Sequence, residues 1–528
     1  MENKKKISLM DTSFRDGFQS VYGARALFDD FKPALEAAVH AGIQHFEFGG
    51  GARFQANVFY LNENPFDMMD KFRATIGPDI PTQTLSRGIN TVALDSAPRE
   101  VIDLHAKMFK KHGTTIIRNF DALNDVNNLI DSGNSIVKHG LKHEVCVTMM
   151  ELPPGCSGAH DVAFYEKTLR QILDAGIPYH SVCFKDASGT SVPQKVYETI
   201  KMARKLLGDD VHIRLHTHDT AGVAVACYMA ALEAGVDGID CAAAPVSGGT
   251  SQPDIIVMLH ALKGKPFDLG LDIEKIREYE DVFRDTMKDY FMPPEATMVS
   301  SEIPFSPMPG GALTANTQMM RDFKCLDKFP TVIKEMREVV ERGGFATSVT
   351  PVSQFYFQQA FNNALQGKWE NIADGYGKMV LGYFGKTPVA PDPEIVKICS
   401  EKLNLPVTTE NPVDIAEKDP KKGIPHWKKV LEENKLETSE ENIFIAVSCQ
   451  EKGIAFLQGK TKAQIRRISD TPAPAPAAAK PAETKTEAKG IGQPTSLSDM
   501  GSVNLAKPST YKLKVDNQSY FVEVEQLG

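Results

Sequence analysis

The chain has 528 residues, 42% hydrophobic and 24% charged, with a formal net charge of −9. Such a length accommodates two or more domains, the composition is that of a globular protein, and the acidic balance argues against a nucleic-acid-binding surface. No run reaches the roughly 18 apolar residues of a membrane span, no apolar leader follows Met1 to Lys6, and the eight cysteines lack Cys-x-x-Cys spacing, as expected of reduced thiols in a cytoplasmic protein.

Up to about residue 265, β-rich apolar runs alternate with amphipathic helical patterns. The strands are expected at Ile7–Met10, His45–Phe48, Thr82–Leu85, Thr115–Arg118, Glu144–Met149, Ser181–Phe184, Val211–Leu215 and Gly238–Cys241. Helices are expected at Phe31–His40, Arg99–Lys111, Asp161–Asp174, Pro193–Leu207 and Ala221–Glu233, several closed by a glycine. Eight strand–helix units in about 260 residues predict an α/β fold, a (β/α)8 TIM barrel over residues 1–303. The polar residues that follow the strands should then rim one mouth: Asp11, Arg15, Asp16, Gln19, Arg87, Asp121, Lys185, His216 and His218. Past the loop Pro304–Gly311 the pattern turns helical, for example at Thr331–Arg342 and Val352–Leu365, predicting a mostly helical domain over 304–469 docked near that mouth. A Pro/Ala-rich linker over 470–507 follows, then two alternating strands over 508–528 around an Asp516-Asn517 turn. Two strands do not make a stable domain, so this end reads as the start of a small β module.

His216 and His218, at i and i+2 beyond a strand, face one side, and with Asp16 they suit a divalent metal such as Zn, Mn or Co with open positions. An open Lewis acid polarises a carbonyl. Arg15 and Arg87 would then meet a substrate carboxylate or developing oxyanion, or else form rim salt bridges. An ammonium at Lys185 beside a dication is repelled, so it must lose its proton, form a Schiff base as in an aldolase, or become an anionic carbamate ligand.

The stretch Asp11-Thr-Ser-Phe-Arg-Asp-Gly-Phe-Gln-Ser20 resembles the opening motif of the carboxyltransferase domain of biotin-dependent pyruvate carboxylases and oxaloacetate decarboxylase α subunits. The resemblance runs through Gly50–Phe54, Leu85–Asn90, Asn119–Asn124, Lys185-Asp186, His216–Gly222, Ser247–Pro253, Pro309–Gly311 and Tyr376–Val380. It implies Asp16, carbamylated Lys185, His216 and His218 as metal ligands. Arg15, Gln19 and Arg87 would bind a 2-oxo acid, and Thr314 would carry the proton between biotin and the substrate methyl group. The linker and terminal strands would be the tether and truncated start of a biotinyl domain, whose Ala-Met-Lys-Met-type attachment turn is absent from these residues. Carboxybiotin would come on such a domain, charged by a separate biotin carboxylase subunit as in two-subunit pyruvate carboxylase. In the alternative, membrane decarboxylase subunits of a sodium pump would be the partners; a homo-oligomer is expected.

Three positions depart from the family pattern: Arg53 replaces a threonine, Gln55 an acid and Leu94 a tyrosine. Arg53 could face a second substrate carboxylate, as in a 2-oxoglutarate carboxylase, or simply fill the rim. A more distant alternative is a metal-dependent acyl-transferase or lyase of the same barrel group, which needs neither Lys185 as ligand nor a tether.

Overall fold

The computed structural model describes residues 4–470, 509–515 and 518–524. Eight parallel strands close on themselves: β1 (Ser8–Asp11), β2 (Phe46–Glu47), β3 (Thr82–Ser86), β4 (Ile116–Phe120), β5 (Lys142–Thr148), β6 (Ser181–Asp186), β7 (His212–Thr217) and β8 (Gly238–Cys241), with β8 pairing back onto β1. Every predicted strand is present. Their near-continuous burial follows from the architecture, since helices cover the outer face of a parallel barrel and side chains fill its interior.

The helices form where local signals converge. Pro193–Leu207 begins on proline and ends at Gly208, whose φ is +74°, and it turns Val196, Thr199, Ile200 and Ala203 inward at helical spacing. It and Arg99–Lys111 span the residues expected of them. Inside the barrel lies a buried ionic network: Arg118 Nε sits 2.5 Å from Glu144 and Nη1 2.6 Å from Asp240, and Arg214 Nη1 lies 3.1 Å from Asp240. Charges taken out of water are tolerated only when paired in this way.

Two apolar cores organise Met1–Thr471, which forms one compact unit. One fills the space between strands and surrounding helices. The other caps the C-terminal end of the barrel, where Leu85, Phe120, Cys146 and Cys183 meet Met308, Leu313, Met336 and Tyr356. The helices above the mouth are stitched down by Thr347 N–H to the Ala122 carbonyl (2.8 Å) and by the Thr148–Thr347 hydroxyl pair (2.9 Å). The last long helix, Glu440–Leu457, instead returns to the outside of the barrel, packing Phe444 against Phe54, Phe66 and Phe109.

His105 lies in that outer contact, fully buried, its ring 4.3 Å from Phe109 and 5.6 Å from Phe444, with Nε2 unpartnered. Burial pushes its pKa down from 6.5 to about 3. The folded imidazole is neutral, so the stability it contributes is complete above about pH 6.5 and is lost as pH falls toward 3. His105→Phe should therefore shrink the stability lost between about pH 7.5 and pH 5 by ~2 kcal/mol, measured by denaturant unfolding at both values. An undiminished loss would mean that the folded ring titrates normally.

Cys146, Cys183 and Cys241 are free, buried thiols, as expected. Among the described residues no helix is long and apolar enough to cross a membrane. The linker expected over 470–507 lies, apart from its first residue, outside the described residues, as does the Asp516-Asn517 turn. The strands Ser509–Val515 and Gln518–Val524 pair antiparallel in the second unit, Pro472–Gly528.

Candidate active site at the barrel mouth

Lys185 and His216 are register partners on β6 and β7, so neighbouring strands deliver both side chains to one place. Asp16 comes from the wide turn Ser13–Gly17 after β1. Its Oδ2 lies 3.2 Å from His216 Nε2, 3.3 Å from His218 Nε2 and 3.7 Å from Lys185 Nζ. All four residues are buried.

The far side of each imidazole fixes its tautomer. His218 Nδ1 lies 2.7 Å from the Thr250 carbonyl, which can only accept, so Nδ1 carries a hydrogen and Nε2 is the nitrogen turned to Asp16. His216 Nδ1 lies 2.8 Å from Asp240 Oδ2. Burial favours a neutral Asp240, but Arg118, His216 and Arg214 hold its carboxyl well below the usual range, so it accepts as well. Burial, reinforced by Lys185, pushes His216 down to about 4, leaving a neutral ring near pH 7. Asp16 is likewise ionised: burial opposes the charge, yet the adjacent Arg15 guanidinium holds its carboxyl well below the usual range. Two imidazole nitrogens and one carboxylate oxygen within 4.8 Å fit a borderline divalent ion such as Zn, Mn or Co. Burial pushes the Lys185 ammonium down against the pull of Asp16, which favours the free amine that CO2 can modify.

Asp240→Asn should weaken metal binding by about 10–100-fold, the usual cost of losing a histidine's outer partner. Competition with a chelator measures it; unchanged affinity would remove Asp240 from the site.

Arg15 bridges the expected substrate side of the mouth. Its Nη2 is 2.5 Å from Glu47 Oε1 and 3.1 Å from Asp16, and Nη1 donates to Gln19 Oε1 at 3.2 Å. Arg87 donates through Nη1 to the carbonyls of Val92 (2.7 Å) and Ala93 (3.0 Å), and burial with the nearby Arg15 charge lowers it to about 9. Thr314 enters from the helix Gly310–Asp322 and donates to the Ser20 carbonyl at 2.5 Å. Thr250 Oγ1 donates to the same carbonyl at 2.9 Å, so one oxygen ties Thr314 to the loop that orients His218.

Glycines make these approaches possible. A Cβ on Gly310 would stand 1.6 Å from the Thr250 carbonyl oxygen, and one on Gly189, at φ +66°, would stand 2.2 Å from the His218 carbonyl oxygen. Asp186 ties down the Gly189 loop, accepting from the N–H groups of Ser188, Gly189 and Ser191 at 2.6–3.0 Å.

One expectation about the mouth, a substrate-facing Arg53, needs correction, and two rim carboxylates prove to be committed locally. Arg53 is fully buried, with its terminal nitrogens 2.5 and 2.6 Å from the Ala24 and Ala26 carbonyls and its guanidinium 5.7 Å from the Phe18 and Phe31 ring centres. It braces the segment after Gln19 and is spent on backbone. Asp11 accepts from Tyr279 Oη at 2.9 Å and from Ser13 N–H, and Asp121 caps its own loop through the N–H groups of Leu123 and Asp125, so neither reaches the cluster.

Two family models match the chain, an HMGL-like domain over residues 107–283 and a conserved carboxylase domain over residues 303–522. The B-type pyruvate carboxylase subunit of Methanocaldococcus jannaschii is 31% identical over 466 residues, 87% of this chain and 79% of that protein. The chain belongs to the carboxyltransferase family of the pyruvate carboxylases. The methylmalonyl-CoA carboxyltransferase 5S subunit of Propionibacterium freudenreichii is 28% identical over 529 residues, covering 99% of this chain and 98% of that subunit. Among solved structures, the carboxyl transferase domain of Rhizobium etli pyruvate carboxylase with pyruvate superposes with a TM-score of 0.78 at 26% identity, covering 87% of this chain and 78% of that one; the same domain is solved with pyruvate and biocytin. This is therefore a biotin-dependent carboxyltransferase of the pyruvate carboxylase type.

Sequence reasoning about this carboxyltransferase missed Glu47, Asp240 and Gln252, all fully buried around the cluster. A carboxylate inside a buried strand was the available signal for the first two, since such a charge requires a partner.

Proposed function

We propose that this carboxyltransferase moves CO2 between carboxybiotin and pyruvate, forming or consuming oxaloacetate, as the transferase half of a two-subunit pyruvate carboxylase. The observation that carries the reading is the convergence of Asp16, Lys185, His216 and His218 with Arg15, Gln19 and Arg87 in one buried mouth, while Thr314 is tied to the Thr250 carbonyl loop. In this reading Arg15, Arg87 and Gln19 hold the substrate carboxylate. The metal, held by Asp16, His216, His218 and carbamylated Lys185, supplies a Lewis acid for the keto group when bound. Biotin supplies the one-carbon unit when bound. Thr314 moves the remaining proton through its hydroxyl between the methyl group and the cofactor; Thr314→Ala should cost about 10²–10⁴-fold in transfer with little change in metal content. The engagement of Arg53 by Ala24 and Ala26 takes away the ground for a second carboxylate contact, which favours pyruvate over 2-oxoglutarate.

The end-to-end match to the 5S subunit favours a second reading for the source of the one-carbon unit. In it the biotin carrier is charged from methylmalonyl-CoA, as that relative's name states for its own enzyme, rather than by an ATP-dependent subunit. One experiment bears on both. With free biotin, the chain should decarboxylate oxaloacetate and leave oxalosuccinate untouched; preference for oxalosuccinate would overturn pyruvate as the substrate. Charging a biotin carrier with methylmalonyl-CoA or with ATP and bicarbonate, each through its own partner subunit, then separates the two readings.

A further inference from the structure

Gln252 sits at the centre of the ligand cluster without a part in the scheme above. Its Nε2 lies 3.1 Å from Asp16 Oδ2, 3.1 Å from His218 Nε2 and 3.5 Å from His216 Nε2. The same nitrogen lies 3.4 Å from His218 Nδ1, so it stands against the flank of that ring, and the acceptor it meets is the Asp16 carboxylate oxygen. An amide nitrogen is the end of glutamine that a carboxylate oxygen calls for. A dication arriving there would meet its hydrogens head on.

The other end of the amide holds the answer. Oε1 lies 2.7 Å from Thr12 Oγ1, and that hydroxyl lies 2.9 Å from the Cys241 carbonyl. A hydroxyl has one hydrogen, so it serves one of the two at a time. While it serves Gln252, the Cys241 carbonyl keeps the Thr12 backbone N–H at 2.9 Å. Once it turns to Cys241, a Thr12 lone pair is free and Gln252 Oε1 keeps only Ser251 Oγ at 3.3 Å. A half-turn of the amide satisfies every group: Nε2 donates to Thr12, Thr12 donates to Cys241, and Oε1 faces the cluster. The two ends of a glutamine amide have the same shape, so the turn needs no repacking.

We propose that Gln252 is a positioning residue with two amide orientations, nitrogen inward in the metal-free site and oxygen inward in the loaded site, with the Thr12 hydroxyl switching its proton in step. In the first state it holds Asp16 beside His216 and His218; in the second it turns an oxygen to the cation. The proposal rests on the reading of those three residues as metal ligands.

The test uses the full chain, stripped with a chelator and titrated with Co2+, following visible d–d absorption and affinity without substrate. Wild type should bind one equivalent. Gln252→Ala should bind about 10–100-fold more weakly with an altered band. Gln252→Glu, which keeps an oxygen but has no hydrogens to donate, should retain the wild-type band and at least wild-type affinity, while its metal-free form melts below that of wild type. If Gln252→Ala matches wild type in both affinity and band, or Gln252→Glu loses binding, the proposal is overturned. Wild type that takes up no Co2+ would instead overturn the metal reading beneath it. Should Gln252→Ala fail to fold, the isosteric glutamate variant decides on its own.

Discussion

Lys185→Ala is expected to lower carboxyl transfer by about 10³-fold or more while far-ultraviolet circular dichroism and melting temperature stay close to wild type. The side chain is buried, but it reaches the mouth from a strand whose partners on β5 and β7 remain intact. Its removal relieves a buried cation that burial already disfavours, so stability should not suffer. What is lost is the group that alone among the cluster can be made anionic by CO2. Two readouts define the role. Intact mass of wild type under bicarbonate should show the carbamate adduct, and the alanine variant, supplied with short carboxylic acids, should recover part of its activity. Full activity without such rescue would sink the carbamate role.

The second large effect concerns a residue that touches no substrate. In Gly310→Ala the new methyl group would stand 1.6 Å from the Thr250 oxygen and 2.5 Å from its carbonyl carbon, both backbone atoms that no rotamer change can clear. Contact at ordinary distance requires the helix start and the Thr250 loop to part by about 1.5 Å or more. The same Thr250 oxygen orients His218, and the same helix carries Thr314 one turn on. Misplacement on the order of 1 Å costs about 100-fold in rate, and here it falls on two groups at once. Transfer should drop at least that far, metal affinity should fall in parallel, and overpacking should cost roughly 1–3 kcal/mol of stability. Gly189→Ala, pressing on the His218 carbonyl itself, should reproduce the metal loss. A Gly310→Ala enzyme with normal metal content and normal turnover would contradict the close approach.

How much of this was legible in the sequence depended on range. The strands were legible because a parallel barrel buries both faces of each, leaving continuous apolar runs such as Ser181–Phe184. Pro193–Leu207 was legible from its own ends, a proline at the start and a glycine after the last turn. The His-x-His spacing and Lys185 were legible because adjacent strand ends share one rim. Glu47, Asp240 and Gln252 were not, since their meaning lies in partners brought from elsewhere in the chain: Arg15 to Glu47, Arg118 to Asp240, Asp16 to Gln252. Arg53 misled for a related reason. It sits in a motif associated with the mouth, but its helical turn directs it at Ala24 and Ala26, a contact that spacing alone does not reveal. Gln55, in the same motif, is taken up by the Ser448 carbonyl at 2.9 Å, a partner that comes from the helix returning over the outside of the barrel.

The seat of Gly310 on Thr250 also bears on how such enzymes can be recombined. Barrel and overlying helices look like interchangeable parts on a sequence diagram, with a proline-rich loop between them. A chimera joined in that loop would press the helix start of one parent against the strand-8 loop of the other, at a contact that leaves no room for even a methyl group. Exchange between relatives should therefore succeed with crossovers that keep residues 247–322 from a single parent, and the inheritance of that block, rather than of either domain, should decide which chimeras bind metal.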